Sequence, residues 1–352
     1  MDKQLFSQQL IGWYQRHHRD LPWRRTKNPY CIWLSEIILQ QTRVKQGLPY
    51  YLRFVEAFPT VQSLANAEER DVLRLWQGLG YYSRARNLHQ TAKLVANEHR
   101  GVFPGRYAEL LMLKGVGTYT AAAIASFAFN EKTAVLDGNV FRVLARVFGV
   151  ETDIASNEGK QVFSRLATDL LPDALTDVYN QAIMEFGAVQ CTPATPDCLF
   201  CPLNRDCQAN LTGRQHRLPV KKKKGNVRER YFHYLVLRQG DAVHLKERPE
   251  KDIWRGLYDF YLKEAPAMRT LDDLAGEEDV KELLAAAVVE KESAVFTHVL
   301  THQRIRAKFW HLRLPPGASP AVAGPLRFYS PQEINALPKP ILIANYLNRP
   351  FF

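Results

Sequence analysis

The chain has 352 residues, 46% hydrophobic and 24% charged, which suggests about two domains with ample cores. Five cysteines are too few for a disulfide scaffold, and no apolar run reaches the roughly 18 residues of a membrane span. Met1-Asp2-Lys3-Gln4 opens onto no apolar signal core, so residence in a reducing cytosol is expected. The net charge of +11 is uneven: residues 214–230 hold 8 basic and 1 acidic side chains, against 23 and 20 before them and 16 and 15 after. Arg214, Arg217, Lys221, Lys222, Lys223, Lys224, Arg228 and Arg230, with Pro219 and Gly225, read as an exposed basic linker. It is a solvated spacer or a phosphate-touching strap, and the two are compatible.

Before the linker the periodicity is helical. Ile32, Trp33, Ile37, Ile38 and Leu39 give an almost wholly apolar helix. Residues 107–114 and 118–129 form two helices joined by Gly115-Val116-Gly117. Two glycines there can adopt backbone angles closed to other residues, so that successive N–H groups face one phosphate. Val140, Val143, Leu144, Val147 and Phe148 mark an amphipathic helix. After the linker the period changes to two. Residues 231–237 and 242–246 flank a Gln239-Gly240-Asp241 turn, further strands are expected at 293–300 and 304–312, and a helix near 280–287. An all-α domain at 1–213, a linker at 214–230 and an α+β domain at 231–352 follow.

Two carboxylates stand out. Glu36 has Ile32, Trp33, Leu39 and Gln40 at helical distance, so it has almost no water-facing side. Desolvation should raise its pKa, which suits a general acid, unless it is simply a buried salt-bridge partner. Asp137, in Leu136-Asp137-Gly138-Asn139-Val140, stands where the amphipathic helix begins. It can cap that helix, and backbone N–H donors there should lower its pKa and keep it charged. A charged carboxylate can stabilise a sugar cation or attack it.

Cys191, Cys198, Cys201 and Cys207 are spaced C-x6-C-x2-C-x5-C, with Pro193, Pro196, Asp197 and Pro202 supplying a loop that can wrap a metal centre. Zinc and a four-cysteine iron–sulfur cluster are both open; a single C-x2-C pair favours the cluster. Cys31, in the apolar helix, reads as a core residue.

The cysteine spacing after a helical region resembles the endonuclease III superfamily of DNA glycosylases, with a helix–hairpin–helix and a [4Fe-4S] loop. Leu113-Lys114-Gly115-Val116-Gly117 resembles its hairpin, and Asp137 stands at its essential aspartate. Leu34-Ser35-Glu36 through Gln40-Gln41-Thr42 is similar to the first motif of MutY-type adenine DNA glycosylases. So are Pro22-Trp23-Arg24, the stretch from Gly78-Leu79-Gly80-Tyr81-Tyr82 to Asn87, and Asn180 to Ala188. The resemblance covers nearly the whole chain. It implies a bacterial cytosolic monomer that excises adenine mispaired with 8-oxoguanine or guanine in double-stranded DNA, after flipping the base from the stack. Glu36 would protonate adenine N7. Asp137 would steady the oxocarbenium-like sugar, with Asn139 and Tyr119 in the same pocket. Trp23, Arg24 and Glu185 would surround the adenine, with Glu185 accepting from the exocyclic amine or fixing Arg24. Gln41, Thr42, Leu79 and Tyr81 would meet the opposite base, Gly115 and Gly117 a phosphate, and Arg205 another. The four clustered cysteines would hold the [4Fe-4S] centre.

Relatives that also cut the strand carry lysine where this chain has Tyr119, and a phenol forms no Schiff base, so a monofunctional enzyme is expected. Lys114 replaces a common proline, and Phe141 stands at a position often basic. Trp254-Arg255-Gly256-Leu257-Tyr258-Asp259-Phe260 resembles a strand of the Nudix fold, but no Arg-Glu-x-x-Glu-Glu helix follows, so magnesium-dependent pyrophosphate chemistry is unsupported. Phe296-Thr297-His298-Val299-Leu300-Thr301-His302 aligns with the family's 8-oxoguanine recognition loop, Leu300-Thr301-His302 replacing the usual Phe-Ser-His. A related glycosylase removing thymine, or a non-catalytic DNA-binding iron–sulfur protein, are the rival readings.

Overall fold

A computed structural model describes residues 2–222, 227–249, 252–318, 320, 322 and 324–349. Lys223, Lys224 and Gly225 of the expected linker lie outside them. Among the described residues no helix is long and apolar enough to cross a membrane. The chain divides into two compact units: Met1–Asn66 with Asn87–Lys223, and Ala67–Arg86 with Lys224–Phe352.

Among the described residues twelve α-helices precede the first strand: α1 (Lys3–His17), α2 (Pro29–Leu39), α3 (Val44–Ala57), α4 (Val61–Ala65), α5 (Glu69–Leu75), α6 (Ser83–Asn97), α7 (Tyr107–Leu110), α8 (Thr118–Phe129), α9 (Gly138–Phe148), α10 (Asn157–Asp169), α11 (Thr176–Val189) and α12 (Gln208–Leu211). Of these, α5 lies in the second unit and α6 begins there. Sequence explains the ends that matter. Asn28 caps α2 by accepting from the Tyr30 N–H at 2.9 Å, and Pro29 opens it, where its missing donor costs nothing. Asp137 caps α9, and Gly149 closes it at φ 67°. The helix expected over 107–114 is a single turn, because the chain leaves α7 at Leu111 to enter the hairpin. In the first unit α2 packs on α8, and α11 on both α1 and α9. Phe6, Trp13, Val143, Leu144, Phe163 and Phe186 fill the core beneath α9, with Cys191, Cys201 and Cys207 packed against its edge. Linker residues 214–222 are tied to this unit: Arg214 pairs with Glu151, and the Leu218 carbonyl accepts from Arg146 at 3.1 Å.

The second unit is built on a sheet of β1 (Arg228–Gln239), β2 (Ala242–His244), β5 (Tyr261–Ala265), β6 (Val288–Glu292), β7 (Phe296–Val299), β8 (Gln303–Arg313) and β9 (Phe328–Tyr329), beside a small β3 (Lys246–Glu247) and β4 (Tyr258–Asp259) pair. The expected hairpin exists but is short: β1 and β2 pair only at Arg238↔Val243 and Gln239↔Ala242. The main partner of β1 is β8, parallel, from Arg228↔Gln303 to Arg238↔Arg313. Helices α13 (Leu271–Leu274) and α14 (Glu278–Ala286) cover one face through Leu274, Val280 and Leu283, against Leu235, Leu237, Trp310 and Leu312. Two short helices, α15 (Pro331–Ala336) and α16 (Ile341–Leu347), end the described chain.

Candidate active site

Glu36 sits in the middle of α2 and is 6% exposed. The Tyr119 hydroxyl, from the first turn of α8, donates to its Oε2 at 2.5 Å. Burial pushes the Glu36 carboxyl up to about 7; the Tyr119 hydrogen bond and the Arg24 charge pull the other way, and the Asp137 charge adds to the rise. Asp137 is the cap of α9. Its Oδ1 accepts from the Asn139 and Val140 N–H groups, both at 2.8 Å, and its Oδ2 accepts from Asn139 Nδ2 at 2.6 Å. Those donors lower its pKa as the sequence predicts. The net direction is nevertheless upward, because burial outweighs them. The expectation of a lowered value fails for a reason sequence conceals: the cap lies inside a cavity wall, not at a helix end in water.

Glu36, Asp137, Asn139 and Tyr119 line one cavity of about 980 Å³, together with Trp23, Arg24, Glu185, Gln41 and Thr42. Trp23 is buried edge-to-face against Tyr51. Glu185, on α11, is held by two guanidiniums. Arg19 donates from its backbone N at 2.9 Å and Nε at 2.7 Å to Oε1, and from Nη2 at 2.6 Å to Oε2; Arg24 Nη2 donates to Oε2 at 2.7 Å. Burial alone would raise this carboxyl, but the arginine donors outweigh it and hold it down to about 2. Sequence reasoning missed Arg19, and also Gln181, which lines the cavity and accepts from the Tyr14 hydroxyl at 3.0 Å.

It also missed Arg142. From α9 its Nη2 donates to Asn139 Oδ1 at 2.7 Å and to the Gly187 carbonyl at 2.7 Å, and its Nε to the Cys191 carbonyl at 2.8 Å. Asp137, Asn139, Arg142 and the first cysteine of the loop therefore form one chain of contacts. The available signal was two arginines four residues apart, Arg142 and Arg146, inside an otherwise apolar stretch; both are buried.

At the hairpin Gly115 has φ +78°, and a Cβ there would fall 2.7 Å from the Asn87 Cβ, so only glycine fits. Gly117 departs from expectation. Its φ of −88° is ordinary extended backbone, and its contribution is an open N-terminus on α8, where a Cβ would meet nothing within 4 Å. Gln41 adopts φ 56° just past α2. Leu79 and Tyr81 belong to the second unit. Leu79 is buried, so its side chain offers little surface; Tyr81 is 45% exposed at φ 48°, and its hydroxyl bonds the Thr301 hydroxyl. Thr301 and His302 are the exposed centre of a tight turn closed by Leu300 N donating to the Gln303 carbonyl at 2.8 Å. Arg205 is exposed.

The four clustered cysteines line one small, largely apolar cavity with Arg146 and Leu203. Arg146 Nη1 donates to Cys191 Sγ at 3.3 Å. Burial pushes the Cys201 thiol up to about 12, so thiolates there need a cationic centre. Among the described residues no three His, Cys, Asp or Glu side chains are placed to hold a single metal ion. The donor set is all sulfur and lines one cavity, which suits a thiolate-held metal centre.

The helical hairpin, the capped aspartate and the buried acid define a base-excision glycosylase fold. Residues 34–168 match the HhH-GPD superfamily of base excision DNA repair proteins, and residues 233–349 match the NUDIX domain. Solved structures agree. A thermostable thymine-DNA glycosylase aligns at TM-score 0.56 and 28% identity, over 60% of this chain and 97% of that one. An endonuclease III in a non-covalent DNA complex aligns at TM-score 0.53 and 21% identity, over 60% and 98%. The adenine DNA glycosylase of Buchnera aphidicola subsp. Acyrthosiphon pisum is 35% identical over 261 residues, 74% of this chain and 75% of its own length; the Homo sapiens adenine DNA glycosylase is 44% identical over 223 residues, 60% and 41%. The chain belongs to the adenine DNA glycosylase family.

Proposed function

We propose that the protein hydrolyses the N-glycosidic bond of adenine mispaired with 8-oxoguanine or guanine in double-stranded DNA, as a monofunctional glycosylase acting as a monomer in the cytosol. The observation that carries this reading is a pair of carboxyls in one cavity, one pushed up to about 7 by burial and one served by three donors. Tyr119 donates to Glu36 Oε2, which leaves Oε1 to carry the proton toward N7 of a flipped adenine. As the C1′–N9 bond breaks, its electron pair leaves with the protonated base. Asp137, held by the α9 N-terminus and Asn139, balances the positive charge on the sugar, and water then adds at C1′ with loss of its proton. The three donors favour the ionised form of Asp137, whereas Glu36 has one, so of the two Glu36 keeps the proton.

Both Glu185 oxygens already take two donors each. Of its two expected roles, fixing Arg24 is therefore the one the contacts support, and Gln181 is an acceptor left for the exocyclic amine. Cys191, Cys198, Cys201 and Cys207 would hold a [4Fe-4S] cluster, which when bound ties the loop between them into one rigid surface for the DNA backbone. Residues 231–352 would inspect the opposite base through Thr301 and His302. The test is single-turnover base release from 8-oxoguanine:A, G:A and G:T duplexes. Adenine release in the first two and none from the third is expected; thymine release, or no release at all, would replace this reading by one of its rivals.

A further inference from the structure

We propose that Lys339 is the positioning residue that fixes the loop at 77–82 against the turn at 300–303, so that Tyr81 and Thr301 meet the opposite base as one composite surface within the second unit. The inference rests on the adenine-excision reading, which brings Tyr81 and Thr301 to the opposite base.

Lys339 is an anomaly: a lysine 5% exposed with no carboxylate bonded to its ammonium among the described residues. Its Nζ instead donates to the Leu337 carbonyl at 2.7 Å and to the Ile334 carbonyl, two acceptors at the C-terminal end of α15, the second of which also accepts from Leu337 N at 3.2 Å. Burial and the Arg74 charge pull the amine down to about 8, the mark of a cation kept where it is costly. The side chain thereby locks the backbone of Pro338-Lys339-Pro340. The Pro338 carbonyl accepts from Tyr258 N at 2.8 Å, on β4. Lys339 then uses both its backbone groups on the loop: its N–H donates to Gln77 Oε1 at 3.0 Å, and its carbonyl accepts from the Tyr82 hydroxyl at 3.2 Å. One buried residue so spans the loop, gripping it on either side of Gly78-Leu79-Gly80-Tyr81.

The loop needs such a hold. Gly78, Gly80 and Tyr81 have φ of 102°, 71° and 48°, and for tyrosine that conformation is strained. Trp76 Nε1 and Arg84 Nη2 donate to the Gly80 carbonyl from the two ends of the loop, and Arg84 lies 5.5 Å from the Tyr81 ring. A second strap runs from the sheet: Arg86 Nη1 donates to the Arg255 carbonyl at 2.9 Å, next to Trp254, whose ring meets His298 at 5.8 Å, three residues before Thr301. The Tyr81–Thr301 hydroxyl contact closes the ring. None of these groups lies in the excision cavity, so their loss should affect which opposite base is accepted before it affects the chemistry.

The experiment measures single-turnover excision on 8-oxoguanine:A and G:A duplexes for the full-length wild type, Lys339→Met and Tyr82→Phe, with burst amplitudes and melting midpoints. In wild type the 8-oxoguanine duplex should be the faster. Lys339→Met should cut the rate ratio at least about tenfold and Tyr82→Phe several-fold. Simple loss of folded enzyme lowers amplitude on both duplexes and leaves the ratio alone. A lowered midpoint with an unchanged ratio would make Lys339 a purely structural residue and overturn the proposal; if Lys339→Met does not fold, an unchanged ratio in Tyr82→Phe does the same. A wild type without any 8-oxoguanine preference would instead sink the reading beneath it.

Discussion

At the scale of single residues the decisive quantity is the protonation of Glu36. Its position was legible from the sequence, since an acid flanked by Ile32, Trp33 and Leu39 on one helix has no route to water. Its partner Tyr119, on another helix 83 residues away, was legible only through the family resemblance. In the proposed role of general acid Glu36 must hold its proton, so excision should fall as pH rises through about 7. Glu36→Gln should abolish excision, by at least about three orders of magnitude, while DNA affinity measured by titration stays near wild type. The same residue predicts a stability effect of opposite benefit. Its folded-state value lies above the unfolded value of about 4.5, so the fold prefers the neutral acid. The ionisation penalty is absent below pH 4.5, grows between 4.5 and 7, and is complete above 7; at about 1.4 kcal/mol per unit it comes to roughly 3–4 kcal/mol. Glu36→Gln should therefore raise the melting midpoint at pH 8 and leave it nearly unchanged at pH 4, and a midpoint equally displaced at both would contradict the burial argument. Tyr119 carries its own prediction: borohydride should trap almost no enzyme–DNA adduct, and efficient cross-linking would require an amine nucleophile the cavity model of catalysis does not use.

At the scale of elements, α9 does two tasks. Its N-terminus caps Asp137, and its inner side sends Arg142 to Asn139, Gly187 and the Cys191 carbonyl. The first task follows from Leu136-Asp137-Gly138-Asn139, a cap signature read directly from sequence. The second does not, because arginine inside an amphipathic helix is ordinarily a surface residue, and only the arrival of α11 and the cysteine loop against it makes Arg142 buried. Arg142→Gln removes a charged donor from four buried or half-buried acceptors at once, at about 1.5–3 kcal/mol for each hydrogen bond that nothing replaces. The variant should melt several degrees lower, bind less iron per chain and excise adenine at least about tenfold more slowly. Normal excision at normal iron content would show that Asp137 and Asn139 hold their geometry without it. The hairpin gives the contrasting case: Gly115 is required by its φ and by Asn87, while the conformational reason inferred for Gly117 from the same motif does not apply.

At the scale of the whole molecule, the change of period from helical to alternating at the basic segment correctly announced two kinds of fold. Sequence could not announce the parallel β1–β8 pairing across 75 residues, or that Ala67–Arg86 belongs with the C-terminal part of the chain. Local periodicity carries no information about which distant surface a helix covers. In the second unit Gly256 abuts Leu73, Arg86 bonds the Arg255 carbonyl, and Gln77 and Tyr82 bond Lys339. A deletion of residues 231–352 therefore removes more than a reader of the opposite base: it strips the partners of a segment whose Val72, Leu73, Trp76, Tyr82 and Ala85 are buried in the full chain. The truncated protein should lose more excision on 8-oxoguanine:A than on G:A, and equal losses would count against a recognition role for the deleted part. It should also become sensitive to trypsin at Arg84, buried in the full chain, and at the half-buried Arg86. Peptide mapping of a brief digest separates the two effects: a truncated protein uncut within 67–86 yet blind to 8-oxoguanine would mean that the segment holds its shape without the sheet, and that discrimination resides in the turn at 300–303 alone.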